Sequence, residues 1–313
     1  MSRLPSVTVV VTVKNRRERM MRCIDAVFAQ DYPTYDFVVI DNDSHDGSAD
    51  ACRARAADAP MPMRVEVASG SIGYVHNAGA RRASGDVIAF TDSDCMPTRG
   101  WLAAGVRPFV DDAQVGIVQG RTLPDPDVPL GEWPATISVP EFSGRYEGCN
   151  LFIRRSAFEQ SPGFLESVRH FWSDTVLGDA IVRAGWRAAW APDALVHHDV
   201  THPGMVWHLR HRALHYGDLA AAVRAEPELR DELLWRHWFL RPRSAALAAA
   251  LAGVAGSRAH RATLLAALPY LAMRAPSAPT RSALRASAED MIWDLTVFYD
   301  MVRSSIRHRT LVL

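Results

Sequence analysis

The sequence predicts an α/β fold: a mostly parallel sheet sandwiched by helices, followed by a C-terminal α-helical extension. Two observations carry this. Short β-branched runs recur from residue 7 to residue 91, each released into a polar loop and then a helical stretch, the alternation that winds a parallel sheet on both faces. Beyond Pro203 such runs give way to helical periodicities. A chain of 313 residues is long enough to bury a large core, with a division expected between 1–203 and 204–313.

In order, residues 7–13 read as a buried strand that releases Lys14, Asn15, Arg16 and Arg17. A helix over 18–30 then turns Met20, Met21, Ile24, Val27 and Phe28 toward the sheet. The strand 37–40 ends in a run of turn formers from Asp41 to Ser48, and a helix follows from about Ala49. Residues 63–67 form a third strand, the loop 69–74 carries Gly70 and Gly73, and 75–84 make a small-residue helix. The strand 87–90 then delivers Asp92 and Asp94 to its C-terminal end, where open α/β sheets bind ligands. Two carboxylates so spaced repel each other unless a cation lies between them, and their oxygens suit Mg²⁺ or Mn²⁺. An Asp-x-Asp alone is also an ordinary acidic turn. Here Asn15, Asp41, Asp92 and Asp94 each follow a strand of one sheet, so they converge on one edge.

Basic and acidic residues both number 35, which leaves no electrostatic footprint for nucleic acid. Cys23, Cys52, Cys95 and Cys149 lack Cys-x-x-Cys spacing and read as reduced, buried thiols. The N-terminus has no apolar leader and no run is long enough to span a bilayer, so the expected location is the cytoplasm, with peripheral contact at the inner face of the plasma membrane as the one membrane association considered.

Four segments, 9–16, 38–48, 77–95 and 171–186, resemble the family 2 glycosyltransferases in their order and spacing. That resemblance implies the GT-A fold, a nucleotide-sugar-binding half over 1–100 and an acceptor half over 101–203. It implies an inverting, metal-dependent transfer of a sugar from a nucleotide diphosphate donor to a hydroxyl acceptor, a glycan or lipid-linked molecule of the cell envelope. Donor contacts are expected from Thr12, Asn15, Asp41, Asn77, Asp92 and Ser93, and metal ligation (Mn²⁺ or Mg²⁺) from Asp94, Asp92 and His198. Asp174 falls where the family has its general base, and Asn150, Trp172 and Ser173 lie on the acceptor side. The chain departs from the usual pattern at Thr12-Val13, His76, Leu165 and Ser173. A sugar-phosphate nucleotidyltransferase is disfavoured, because no glycine-rich loop follows the first strand; a nucleotide-sugar-binding scaffold without turnover is disfavoured by Asp174.

The extension mixes aromatic and basic residues: Arg210, His211, Arg212 and His215 beside Trp207, Leu209, Leu214 and Tyr216 on a helix over 205–224, then residues 233–241. Two Ala-rich runs, 245–256 and 263–273, are expected to form a hairpin, and a last helix over 282–306 would carry Leu284, Met291, Ile292, Leu295, Phe298, Tyr299 and Val302 on one apolar stripe. Such a tail fits a membrane interface, a layer packed on the catalytic domain, or a homodimer contact.

Overall fold

Val7–Val13, seven buried residues without a charge, form the strand β1. In the computed structural model, which describes residues 4–168 and 171–313 with the side chains of 212–215 excepted, β1 stands inside an eight-stranded sheet. Chain order then gives α1 (Arg17–Phe28), β2 (Tyr35–Asp41), α2 (Ser48–Ala57), β3 (Met63–Val67), α3 (Ile72–Arg82), β4 (Val87–Asp92), β5 (Cys95–Pro97), α4 (Trp101–Asp111), β6 (Val115–Pro124), β7 (Asn150–Arg154), α5 (Arg155–Glu159), α6 (Ser173–Arg183) and β8 (Arg187–His198). Across the sheet the order is β3-β2-β1-β4-β7-β6-β8-β5.

β1 pairs in parallel with β2 and β4, and β2 with β3. Thr12 is in register with both Ile40 and Asp92, and Val13 with Asp41, so these strands end together. The parallel character stops there. β7 runs antiparallel to both β4 and β6, and β5 antiparallel to β8, leaving β6 with β8 as the other parallel pair. Side-chain alternation along β1 explains the two-faced core. Val9 and Val11 join Met20, Ile24, Trp101 and Phe152 on one face, whereas Val10 joins Ile40, Val75, Phe90 and Leu177 on the other.

The chain divides into two compact units, Met1–Gly204 and Met205–Leu313. The second contains α7 (Met205–Gly217), α8 (Leu219–Ala225), α9 (Leu229–Leu233), α10 (Pro242–Gly256), a 3₁₀ turn (Arg261–Ala267), α11 (Leu268–Met273) and α12 (Arg281–His308). The one helix expected over 205–224 is thus two, broken at Asp218; the side chains of Arg212, Leu214 and His215 lie outside the described residues. The Ala-rich runs do pack as a hairpin. Thr263 donates its hydroxyl to the Gly253 carbonyl at 2.7 Å, and a Cβ on Gly253 would meet the Thr263 carbonyl oxygen at 2.4 Å.

The stripe expected on the last helix is corrected in part. Leu284, Ile292, Leu295 and Tyr299 are exposed, and the helix buries Asp294, Val297 and Met301 instead. Met291 and Phe298 of that stripe do pack against Leu247, Ala250 and Tyr270, and on the same side Asp294 receives Arg243 at 3.0 Å, Arg274 at 2.7 Å and the Tyr270 hydroxyl at 3.2 Å. Among the described residues no helix is long and apolar enough to cross a membrane.

Candidate active site

β4 ends at Asp92, and the turn through Ser93 carries Asp94 toward β5 and β8. Asp94 is buried and its two oxygens have different company. Oδ2 accepts from Arg16 at 2.5 Å, whereas Oδ1 has no hydrogen-bond partner and lies 3.7 Å from His198 Nε2. The other ring nitrogen fixes what Nε2 can be. Nδ1 sits 2.8 Å from the Asp199 carbonyl oxygen, which can only accept, and 3.3 Å from the Thr136 hydroxyl, so the shorter contact favours the tautomer with its proton on Nδ1. In the neutral ring Nε2 then presents a lone pair to a carboxylate oxygen, and two facing acceptors define a place for a cation.

The antiparallel register decides between the adjacent histidines. His198 is opposite Cys95 and His197 opposite Met96, so only His198 faces Asp94. Behind His198, Arg19 and Arg22 pair with Asp199 at 2.8 and 3.2 Å, and Arg22 reaches Asp125 at 3.0 Å. These ion pairs hold the end of β8 against α1. Sequence reasoning did not find them, because Arg22 and Asp199 stand far apart in the chain.

Atoms of Asp94, Cys95 and His198 all lie within 4.8 Å of one another. Burial and the neighbouring Cys149 hold the Cys95 thiol well above its ordinary value, which leaves the oxygen and nitrogen ligands. Asp92, expected among the metal ligands, is not one of these three, yet its carboxylate lies near enough to Asp94, His198 and Arg16 to feel their charges. Burial and the Asp94 charge raise its pKa, as two acids beside one another require.

Asp41 is buried at the end of β2; Oδ1 accepts from the Ser44 amide at 2.7 Å and Oδ2 has no partner. Nearby, Asn42 exchanges two hydrogen bonds with the backbone of Gly70, which closes the loop after β3 over the same edge. Asn15 adopts φ 51°, a left-handed conformation that Asn tolerates, and ties two loops together: its amide N donates to Ser44 and its side-chain oxygen accepts from His45. Ser93 is buried in the turn, and the Thr12 hydroxyl lies 3.5 Å from His76 Nε2.

His76 went unassigned on the sequence. Its ring is buried between Phe90 and Phe164, its Nδ1 has no partner, and burial lowers its pKa to about 4, so it is neutral. Two expected site residues prove to be internal fasteners. Asn77 gives its amide hydrogens to the Phe164 carbonyl and Glu166 and accepts from the Phe164 amide, which clamps α3 to the loop before α6. Asn150 accepts from the Trp101 indole at 2.8 Å and donates to the carbonyls of Arg121 and Ala194, joining α4, β6 and β8. Both side-chain amides are engaged by protein groups, so each has a structural task whatever it contributes to donor or acceptor binding. Polar residues of this kind look alike in sequence whether they meet a ligand or a backbone.

Asp174 opens α6. Trp172 precedes it at φ 74°, a strained value for a tryptophan, and Ser173 is buried beside it. Oδ2 accepts from the Gly148 amide at 2.8 Å and Oδ1 from the Thr175 amide at 2.9 Å. These bonds favour the anion, yet burial outweighs them and raises the pKa to about 7. A Cβ on Gly148 would stand 3.5 Å from Asp174 Oδ2 and 3.9 Å from the His76 ring. A carboxyl poised near neutrality thus stands with a neutral histidine beside Gly148, while Asp94 faces His198 after β4.

The model of the family described as glycosyl transferase family 2 matches residues 8–167. Among curated proteins, glycosyltransferase AglE of Haloferax volcanii is 37% identical over 108 residues, 34% of this chain and 36% of that protein. The succinoglycan biosynthesis protein ExoO of Rhizobium meliloti is 29% identical over 250 residues, 72% of this chain and 68% of that protein. The match therefore spans about a third of the first relative's length and about two thirds of the second's. Among solved structures, the mannosyltransferase PcManGT of Pyrobaculum calidifontis, in complex with GDP-Man and Mn²⁺, superposes with a TM-score of 0.61 at 24% identity, covering 98% of this chain and 88% of that one.

Proposed function

The chain belongs to glycosyl transferase family 2, and from that premise we propose that it transfers a sugar, with inversion, from a nucleotide diphosphate donor to a hydroxyl acceptor on a glycan or lipid-linked molecule. The observation that carries this reading is the unpartnered, buried Asp94 Oδ1 facing His198 Nε2 at 3.7 Å. Two ligands that share one ion at about 2.1 Å each lie at most about 4.2 Å apart, so a divalent cation fits between them. Asp94 and His198 would hold Mn²⁺ or Mg²⁺, which supplies charge stabilisation to a departing diphosphate. The Mn²⁺ and GDP-Man in the P. calidifontis structure support that ligand class.

The protein's own groups have distinct tasks. Asp41, with one oxygen free and the other fixed by Ser44, accepts a hydrogen bond from the nucleoside. Arg16, already on Asp94, brings a fixed cation to the phosphate side. Asp174 accepts the proton of the acceptor hydroxyl at the carboxylate while that oxygen attacks the anomeric carbon from the face opposite the leaving group. Thr12, Asp92 and Ser93 line the donor edge, and Trp172 and Ser173 the acceptor edge.

The test is thermal stabilisation by UDP, GDP and dTDP nucleotides, each with and without Mn²⁺. A ligand at a hundred times its dissociation constant adds about 2.7 kcal/mol. One diphosphate is expected to stabilise only with the metal. Asp174→Asn should keep that response and lose turnover, whereas Asp94→Asn should lose the response; the reverse pattern would sink the assignment.

A further inference from the structure

The hairpin of α10, the 3₁₀ turn and α11 combines two features. From Leu233 to Ala288 there are eight arginines and not one aspartate or glutamate, although the whole chain is neutral. Within that stretch the hairpin turns aliphatic side chains outward: Val254 is 55% exposed, Leu265 65% and Leu268 56%, with Leu264, Leu271 and Met273 also exposed. Its inner side is already satisfied, since Leu247, Ala250 and Tyr270 pack together and Gly253 touches Thr263. Among the described residues the outward leucines therefore belong to no core of the unit. At the bend between α10 and the 3₁₀ turn, Arg258, His260 and Arg261 are exposed, and among the described residues neither arginine forms an ion pair.

We propose that this hairpin docks on the surface of an anionic lipid bilayer, with Leu264, Leu265 and Leu268 in the acyl boundary and Arg258 and Arg261 on the headgroup phosphates. Charge complementarity selects the occupant. A second copy of the same hairpin would bring arginines against arginines with no acid to offset them. Nucleic acid would satisfy the arginines, but it offers nothing to exposed leucines. A negatively charged bilayer meets both requirements, and an element lying in the interface needs no helix of spanning length.

The experiment is flotation of the full chain with vesicles of phosphatidylcholine alone or with about one third phosphatidylglycerol. Partition onto the anionic vesicles is expected to exceed that onto the neutral ones by roughly tenfold or more and to fall as salt rises. The double variant Arg258→Glu and Arg261→Glu should lose the anionic preference, and Leu265→Glu with Leu268→Glu should lose binding to both. These positions are exposed, and an unchanged melting temperature verifies that each variant folds. Absence of anionic partition overturns the proposal. So does a dimer in light scattering that the leucine variant dissolves, or retention on single-stranded RNA that survives that variant.

Discussion

At the scale of single residues, Asp174 is pulled in two directions. The Gly148 and Thr175 amides stabilise its charge, burial opposes it, and burial prevails to give a pKa of about 7. A base must be ionised to accept a proton, so turnover is expected to rise through about pH 7, and a flat profile from pH 5 to 8 would remove Asp174 from that role. Asp174→Asn should cut turnover by roughly 10² to 10⁴. The same shift has a consequence for folding. A carboxyl whose folded pKa is raised contributes stability that is complete below its unfolded pKa and lost as pH climbs through the folded one. The asparagine variant, which cannot ionise, is therefore expected to be the more stable protein at pH 8. The gain should be about 1–2 kcal/mol, after discount for the partial exposure of the carboxyl and for one lost acceptor. Melting temperatures of the two proteins should converge below about pH 4. An inactive variant more stable than its parent is a result that simple loss of structure does not give.

At the scale of elements, the site depends on fasteners that touch no reacting atom. Asn150 joins α4, β6 and β8 through three hydrogen bonds, and its removal takes a partner from the Trp101 indole and from two carbonyls. Asn150→Ala is expected to cost roughly 3 kcal/mol, measured as a lower midpoint in denaturant at unchanged slope. A loss of turnover without loss of stability would instead return Asn150 to the acceptor site. Gly105 shows how closely α4 is seated: a Cβ there would lie 2.1 Å from the Phe152 ring of β7. Helix and strand approach at that distance because one residue has no side chain. In α12 the inward Asp294 meets Arg243 and Arg274 on the side of the helix that also buries Val297 and Met301 and packs Met291 and Phe298.

At the scale of the whole molecule, two compact units predict two calorimetric transitions. Donor nucleotide with Mn²⁺ should raise only the transition of Met1–Gly204, which holds Asp41, Asp94, Asp174 and His198. A single transition moved as one by the nucleotide would instead mean that the units unfold cooperatively.

By itself the sequence determined the first half of the sheet and the convergence of its loops. β-Branched runs with polar exits leave little choice of element, and parallel pairing brings every exit to one edge, so Asp41, Asp92 and Asp94 could be placed before any coordinates. Asp174 could be placed at the start of its helix, while its role as a base came only from the resemblance to the family. The tertiary structure alone decided the antiparallel insertion of β7 and the internal hydrogen bonds of Asn77 and Asn150, and its register supplied the reason why His198, the histidine already expected, faces Asp94. It also decided which side of α12 faces inward. Periodicity records where apolar residues fall along one element. Which buried polar group meets which partner depends on residues dozens to well over a hundred positions apart, as Arg22 and Asp199 are, and no local pattern carries that pairing.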